Sequence, residues 1–299
     1  MTTAAIRVIA QDIKIAHSVF ALPFAVLGAF MAATGAITWS TFTGQLLLVV
    51  VAMVFARTAA MLANRIFDHQ IDSRNPRTDG RAIPSGRLTL ASATTALVLA
   101  IAGFLCVCLL FGILYGNWWP MILGLPVLAW ICAYALFKRF TWFCHFWLGA
   151  SLGISPLAAA IAVEPAALGS PAIWFLACMV VCWVAGFDVI YALQDIDVDR
   201  RDGLSSVPAR FGTDGALVIS RALHFAAVVF LALSWKTEPE FGTLFLGAVI
   251  LVAVILMVEH ATVRSWGTTR MALTFMTLNG MVSLVVGLAG VADLMGAES

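Results

Sequence analysis

Asn64, Asp68 and Asp72 fall at four-residue intervals in the stretch NRIFDHQIDSRNPRTDGRAIPSGR (64–87), which also holds five Arg and a third Asp. On a continuing helix that spacing turns each side chain only about 40° from the last, so the three oxygen-bearing groups line one face. Stacked carboxylates repel one another unless cations lie between them. Amide and carboxylate oxygens without His or Cys suit a hard ion such as Mg2+. A second stretch, FDVIYALQDIDVDRRDGLSSVPARFG (187–212), again sets two acids, Asp195 and Asp199, four apart, with Tyr191 one turn earlier and Asp188 a turn before that. Asp68 and Asp195 are 127 residues apart, as are Asp72 and Asp199, and Arg74 and Arg201. The chain therefore reads as two related halves. A lone DxxxD at a helix end is ordinarily a solvated loop, but two in register, each trailed by arginines, form a joint signal.

The elements that must position these residues are set by composition. Of 299 residues, 62% are hydrophobic and only 11% charged, too little charge to cover a soluble globule of this size. A membrane-spanning helix needs roughly 20 apolar residues. Nine such runs are expected, at about 15–36, 43–66, 90–113, 118–137, 142–163, 171–194, 217–235, 241–260 and 271–292. They are too long for the alternating strands of a membrane barrel. The fold class is an all-α integral membrane protein of nine transmembrane helices, in two pseudo-repeated four-helix halves plus a ninth helix around a central cavity. One transmembrane domain is expected over 1–299, with charged loops at about 67–89 and 195–216.

With the N-terminus cytoplasmic, the N-terminal segment and the loops after the even-numbered spans collect nearly all the Lys and Arg, leaving Lys236 outside and Arg57 within the second span. Both acidic motifs then lie at the cytoplasmic rim. Arg7, Asp12 and Lys14 precede the first run, which reads as an uncleaved helix rather than a signal peptide. The six Cys all fall in expected spans without a CxxC pair, which reads as packing rather than a metal or redox site. A net charge of +1 gives no footprint for nucleic acid, and membrane lipid is the implied surroundings.

Two carboxylate clusters and many arginines at the mouth of an apolar bundle suit a lipid diphosphate. Mg2+ is normally shared between a few carboxylates and substrate phosphates. Two ions neutralise a departing diphosphate, loop Arg and Lys complete the clamp, and the apolar interior holds the lipid tail. The reaction implied is loss of diphosphate from a polyprenyl diphosphate to give an allylic cation.

The chain resembles the UbiA superfamily of intramembrane aromatic prenyltransferases along essentially its whole length. Asn64, Asp68 and Asp72 match its NxxxDxxxD motif, Asp195 and Asp199 its DxxxD, and Tyr134 and Lys138 its YxxxK at the end of the fourth span. RTDGRAIPSGRL (77–88) is similar to the loop of members that prenylate 4-hydroxybenzoate. IKIAHSVFALPFA (13–25) and GLSSVPARFG (203–212) more closely resemble the branch that prenylates 1,4-dihydroxy-6-naphthoate in the futalosine route to menaquinone.

The resemblance implies a Mg-dependent transferase of menaquinone or ubiquinone biosynthesis, in the bacterial inner membrane with its active site cytoplasmic. Its partners are polyprenyl diphosphate and a hydroxylated aromatic carboxylate. Asn64, Asp68, Asp72, Asp195 and Asp199 are expected to hold two Mg2+, with Asp68 and Asp195 central to catalysis. Lys138 and Tyr134 meet the diphosphate in this reading, and Tyr191 joins them. Arg65, Arg74, Arg77, Arg81 and Arg210 either bind phosphate or orient the chain; Asp188 is an outer ligand, and Asp197 points to solvent.

Arg57 lies seven residues before Asn64, on nearly the same face and about 10 Å deeper, where an unpaired charge is costly. It holds an anionic group of the acceptor or the diphosphate, or pairs with an acid such as Asp188. His17 can contact the acceptor, or, like His145 and His224, is structural. The expected mechanism is ionisation followed by attack of the electron-rich ring, without a covalent enzyme intermediate. A superfamily member with a haem or chlorophyll acceptor would share every carboxylate. A two-half transporter would instead carry its ionisable groups near the bilayer midplane.

Overall fold

The computed structural model describes residues 3–12, 20–33, 37–271 and 273–297, and among them no β-strand occurs. Among the described residues eleven α-helices follow in order: α1 Thr3–Asp12, α2 Leu22–Ala32, α3 Trp39–Asp72, α4 Leu90–Tyr115, α5 Trp119–Phe137, α6 Cys144–Val163, α7 Pro171–Ala192, α8 Ile196–Arg201, α9 Val207–Thr237, α10 Thr243–Trp266 and α11 Asn279–Ala297. Their ends are written in the sequence. The Thr89 hydroxyl accepts from Ser92 N–H to cap α4, which closes on Gly116 in the left-handed region (φ 71°). Ser170 caps α7 just ahead of Pro171, and Ser206 caps α9 just ahead of Val207 and Pro208. Serine before a first-turn proline is a favoured helix start, because the proline lacks an N–H that would have no partner.

Among the described residues, eight helices are long and apolar enough to cross a membrane, and they fall on eight of the nine expected runs. In the place of the first run, about 15–36, stands α2, an apolar helix of 11 residues, shorter than a span requires. Residues 13–19 and 34–36, which include His17, lie outside the described residues. The protein is a multi-pass helical membrane protein.

The chain forms two compact units, Met1–Ser18 with Val51–Phe137, and Val19–Val50 with Lys138–Ser299. These units do not coincide with two successive four-helix halves. The first part of α3, together with α2, belongs to the second unit. Within the first unit, Leu62, Ala93, Ala96, Ala82 and Ile9 form one core, and Ala59, Ala100, Phe104, Cys108 and Leu128 another. α4 lies close to α3 because Gly103 sits under the ring of Phe55.

In the second unit α7 is the central helix. Two thirds (67%) of its most apolar window is buried, against 39% or less in the other spans. Trp183, Met179, Val180 and Val184 are fully enclosed. α6 packs on it through Gly149 and Gly153, where an added Cβ would run into the Val181 carbonyl and side chain. Without a hydrophobic force between helices in lipid, small residues spaced this way let backbones approach and gain van der Waals contact. α2 meets α6 in the same manner, Gly28 lying against the backbone of Pro156.

Polar groups tie α7, α10 and α11 together. Trp183 Nε1–H donates to Asn279 Oδ1 at 2.7 Å, and Asn279 Nδ2 donates to Glu259 Oε1 and to the Thr274 carbonyl, both at 2.9 Å. The last of these holds the π-helical turn Leu273–Leu278, whose wider winding displaces backbone groups from their usual partners.

The glycine contacts give a test of the packing. Gly28→Val should lower the stability of the protein in detergent by about 1–3 kcal/mol through overpacking. Gly247→Ala, inside α10 where nothing lies within 4 Å, should not destabilise and should gain up to about 1 kcal/mol from helix propensity. Thermal unfolding of the two variants in parallel measures the difference.

Candidate active site

In the first unit the helical spacing holds to the end. α3 continues through Asp72, so Asn64, Asp68 and Asp72 share one face as expected, and all three are buried, Asp68 to 1% exposure and Asp72 to 3%. Asn64 is the hinge of the set. Its Nδ2 donates to Asp68 Oδ2 at 2.8 Å, while its Oδ1 accepts from Arg65 Nη1 at 2.8 Å. Asp72 takes both of its oxygens to Arg81 Nη1, each at 2.8 Å. Carboxylates this deep are costly unless hydrogen-bonded or charge-compensated, and the guanidinium on Asp72 meets that requirement.

Arg65, expected either to bind phosphate or to orient the chain, is held by an acid from α1. It is buried, with Nε on Asp12 Oδ2 at 2.8 Å and Nη2 on the Asp12 carbonyl at 3.3 Å. Asp12 also accepts the Ala82 N–H at 2.9 Å. One carboxylate at the end of α1 thus pins both the motif helix and the loop that follows it. Sequence reading passed over Asp12, whose only mark is a charge before an apolar run, 53 residues from its partner. Asn75 shapes the start of that loop, its side chain accepting Arg77 N–H and its carbonyl accepting Thr78 and Asp79 N–H. Arg74 and Arg77 are exposed, and Arg81 lies half-buried over Asp72. Arg57 is half-buried on α3. Tyr134 occupies the last turn of α5.

The second unit carries the other set, built differently. α7 stops at Ala192, Leu193–Asp195 is a 3-10 turn, and α8 begins at Ile196. Asp195 sits at φ −109°, ψ 5°, outside the helical basin. The unbroken ladder expected from Asp188 through Asp199 is therefore interrupted, and the second motif copies the sequence of the first without its geometry. Asp195 and Asp199 are half-buried and Asp197 is exposed, as expected for a solvated side chain. Asp199 Oδ2 accepts from Ser206 Oγ at 2.7 Å. Asp188 accepts from His145 Nδ1 at 2.7 Å. Tyr191, one turn before Asp195, packs on Phe275 with centroids 4.4 Å apart.

The segment between α8 and α9 lies beside this set. Gly203 (φ 68°) and Gly212 (φ 72°) adopt backbone that L-residues avoid, and Gly212 offsets the first turn of α9, with Arg210, from the rest of that helix. Arg210 is exposed, its guanidinium 5.6 Å from the Trp142 ring and 5.5 Å from the Phe211 ring. A cleft of about 520 Å3 opens here, bordered by Trp142, Asp199, Arg200, Ser206 and Arg210. Lys138 follows the end of α5, and its carbonyl accepts Ser205 N–H at 2.6 Å.

Among the described residues no three His, Cys, Asp or Glu side chains converge as a ready metal site. The donors nevertheless fit a hard divalent ion in type. Asn64, Asp68 and Asp72 offer oxygen alone, buried on one helix face, with cationic side chains that a metal can supplement.

Fold and donors define a helical membrane protein with two separate oxygen-donor sets flanked by arginines. A model of the UbiA prenyltransferase family matches residues 21–288, and the chain belongs to that family. The 4-hydroxybenzoate octaprenyltransferase of Edwardsiella ictaluri is 30% identical over 245 residues, 81% of this chain and 82% of that protein. The enzyme of that name from Serratia proteamaculans is 31% identical over 188 residues, an alignment that spans 61% of its length and 62% of this chain. Among solved structures, a UbiA homologue from Aeropyrum pernix superposes with a TM-score of 0.83 at 30% identity, covering 94% of this chain and 98% of that one. A UbiA homologue from Archaeoglobus fulgidus, bound to DMAPP and Mg2+, has a TM-score of 0.72 at 14% identity, with 96% and 99% covered, a likeness of fold.

The Asp12–Arg65 pair is the test of how the first set is held. Arg65→Met should destabilise the protein by about 3–5 kcal/mol, the cost of stranding a buried carboxylate. The double variant Arg65→Met with Asp12→Asn should recover part of that loss. Thermal unfolding of the two variants in detergent checks both.

Proposed function

We propose that this protein is a Mg2+-dependent aromatic prenyltransferase. It moves a polyprenyl group from polyprenyl diphosphate to a ring carbon of a hydroxylated aromatic carboxylate, at the cytoplasmic face of the bacterial inner membrane. The observation that carries this reading is the buried oxygen face of Asn64, Asp68 and Asp72 in a chain otherwise built to exclude charge. That donor set has the chemistry for a hard divalent ion and is matched in kind by Asp195 and Asp199. The relatives named 4-hydroxybenzoate octaprenyltransferase, and the Archaeoglobus homologue bound to DMAPP and Mg2+, support the same donor chemistry.

Asn64, Asp68 and Asp72 would hold one ion, and Asp195 with Asp199 a second. Mg2+ bound there supplies neutralisation of the charge that grows on departing diphosphate. The chain's own cations do the rest of that work. Lys138 and Tyr134, Arg81 and Arg210 from the two loops, and Tyr191 would orient the diphosphate oxygens. Preset positive groups aimed at developing charge lower the barrier without reorganising. The C1–O bond breaks, the ring carbon bonds to C1, and the ring proton is then lost. Apolar side chains keep water from quenching the allylic cation to an alcohol. Arg57, deeper on α3 than the acidic face, suits the carboxylate of the acceptor, where a guanidinium binds both oxygens.

Two acceptors fit this site class, 4-hydroxybenzoate and 1,4-dihydroxy-6-naphthoate. The purified protein in lipid, given Mg2+ and a long-chain prenyl diphosphate with each acceptor separately, should prenylate one of them. Asp68→Ala and Asp195→Ala should each lower kcat/KM by about 100-fold or more, the scale of a lost electrostatic group at a reacting centre. Absence of diphosphate release from every allylic donor tried would overturn the reading.

A further inference from the structure

His145 takes no part in the site just proposed, yet three features converge on it. It lies on α6 four residues before Gly149 and eight before Gly153, so the three share the face turned to α7. The two glycines bring the α6 backbone against Val181, and the antiparallel run then sets His145 level with Asp188. The ring is 3% exposed. Its Nε2 accepts the Val207 N–H at 3.2 Å, which leaves the ring proton on Nδ1, the atom 2.7 Å from Asp188 Oδ2. One imidazole thus joins α7, a few residues before Asp195, to the start of α9.

Val207 closes a short strap in which each residue is bound to its surroundings. Ser205 N–H donates to the Lys138 carbonyl, and Cys144 Sγ lies 3.5 Å from the Ser205 carbonyl. The Ser206 hydroxyl donates to Asp199 Oδ2 at 2.7 Å and accepts Ala209 N–H at 3.2 Å. Ser206 and Val207 are buried. Where the Ser206 hydroxyl stands, and so how Asp199 is held, depends on where Val207 is anchored.

We propose that His145 is a positioning residue: by accepting the Val207 N–H while its other nitrogen is fixed on Asp188, it holds the 205–207 strap and, through Ser206, sets the carboxylate of Asp199. The significance for Asp199 rests on the metal-binding role proposed above, whereas the tether itself does not.

The two nitrogens can be separated by substitution. An Asn amide nitrogen overlies Nδ1, so His145→Asn keeps the bond to Asp188 and loses the strap. A Gln carbonyl reaches the place of Nε2, so His145→Gln keeps an acceptor for Val207. Hydrogen exchange of the 203–212 peptide, measured without metal in detergent, should be faster in His145→Asn and His145→Ala and return toward the parent in His145→Gln. In the prenyl-transfer assay, the Mg2+ concentration for half-maximal rate should rise about five- to ten-fold in His145→Asn, the scale of one buried hydrogen bond, with kcat at saturating Mg2+ nearly kept and with recovery in His145→Gln. Val207→Pro, which removes the N–H at a first-turn position that tolerates proline, should shift the Mg2+ requirement likewise and serves if the histidine variants do not fold. Unchanged exchange in His145→Asn overturns the tether. Faster exchange with an unmoved Mg2+ requirement overturns the link to Asp199. A parent protein without prenyl transfer overturns the proposed function instead, and the exchange result still decides the tether.

Discussion

The constraint on which the structure depends is that carboxylates in an apolar bundle must be held by something other than water. Asp68 and Asp72 are almost wholly enclosed, where an ionised group without partners costs several kcal/mol. Each nearby polar residue answers that demand. Asn64 spans Asp68 and Arg65, Arg65 is held by Asp12, and Arg81 folds back onto Asp72. The loop after α3 takes its course from these bonds, since both Ala82 N–H and Arg81 end on acidic partners. The conformation of a charged loop in a membrane protein follows here from the charges beneath it.

Holding such groups needs stiff supports, and in lipid those come from close packing rather than from a hydrophobic drive. Gly28, Gly149 and Gly153 let α2, α6 and α7 approach until backbone meets backbone. The Trp183–Asn279–Glu259 chain adds directional bonds between helices that would otherwise slide. A polar residue deep in the second unit is thus part of its scaffold, while the acidic residues near the ends of α3 and α7 carry the chemistry proposed.

Much of this was legible in the sequence because it is periodic. Long apolar runs announced the spans, and the four-residue spacing of Asn64, Asp68 and Asp72 announced a shared face, which α3 keeps because no breaker interrupts it before Asp72. Contacts without a period were hidden. Nothing local links Asp12 to Arg65 or His145 to Asp188, for each depends on helices meeting over long separations, and the bond from Ser206 to Asp199, seven residues apart, follows no helical period. Of the first expected run, the described part holds an 11-residue helix, Leu22–Ala32, and apolarity alone fixes where a chain prefers lipid and not where its helix starts or stops. The burial of Arg65 was hidden as well, since a loop-edge arginine and a buried one look alike in sequence.

The two acidic motifs show how far an internal repeat constrains structure. Spacing is copied between them, including the trailing arginine, yet one lies on an unbroken helix and the other straddles a 3-10 turn. In the first, the carboxylates are buried, Asp68 bound by Asn64 on the same helix and Asp72 by Arg81 from the loop directly following. In the second, they are half-buried, and Asp199 accepts from Ser206 in a strap whose Val207 N–H is bound by His145 from another helix. A repeat preserves which atoms are present; the neighbours decide how tightly each is fixed. The first set is thus seated by its own helix and loop together with the distant Asp12, whereas Asp199 in the second is tied, through Ser206 and Val207, to a histidine placed by the packing of α6 against α7.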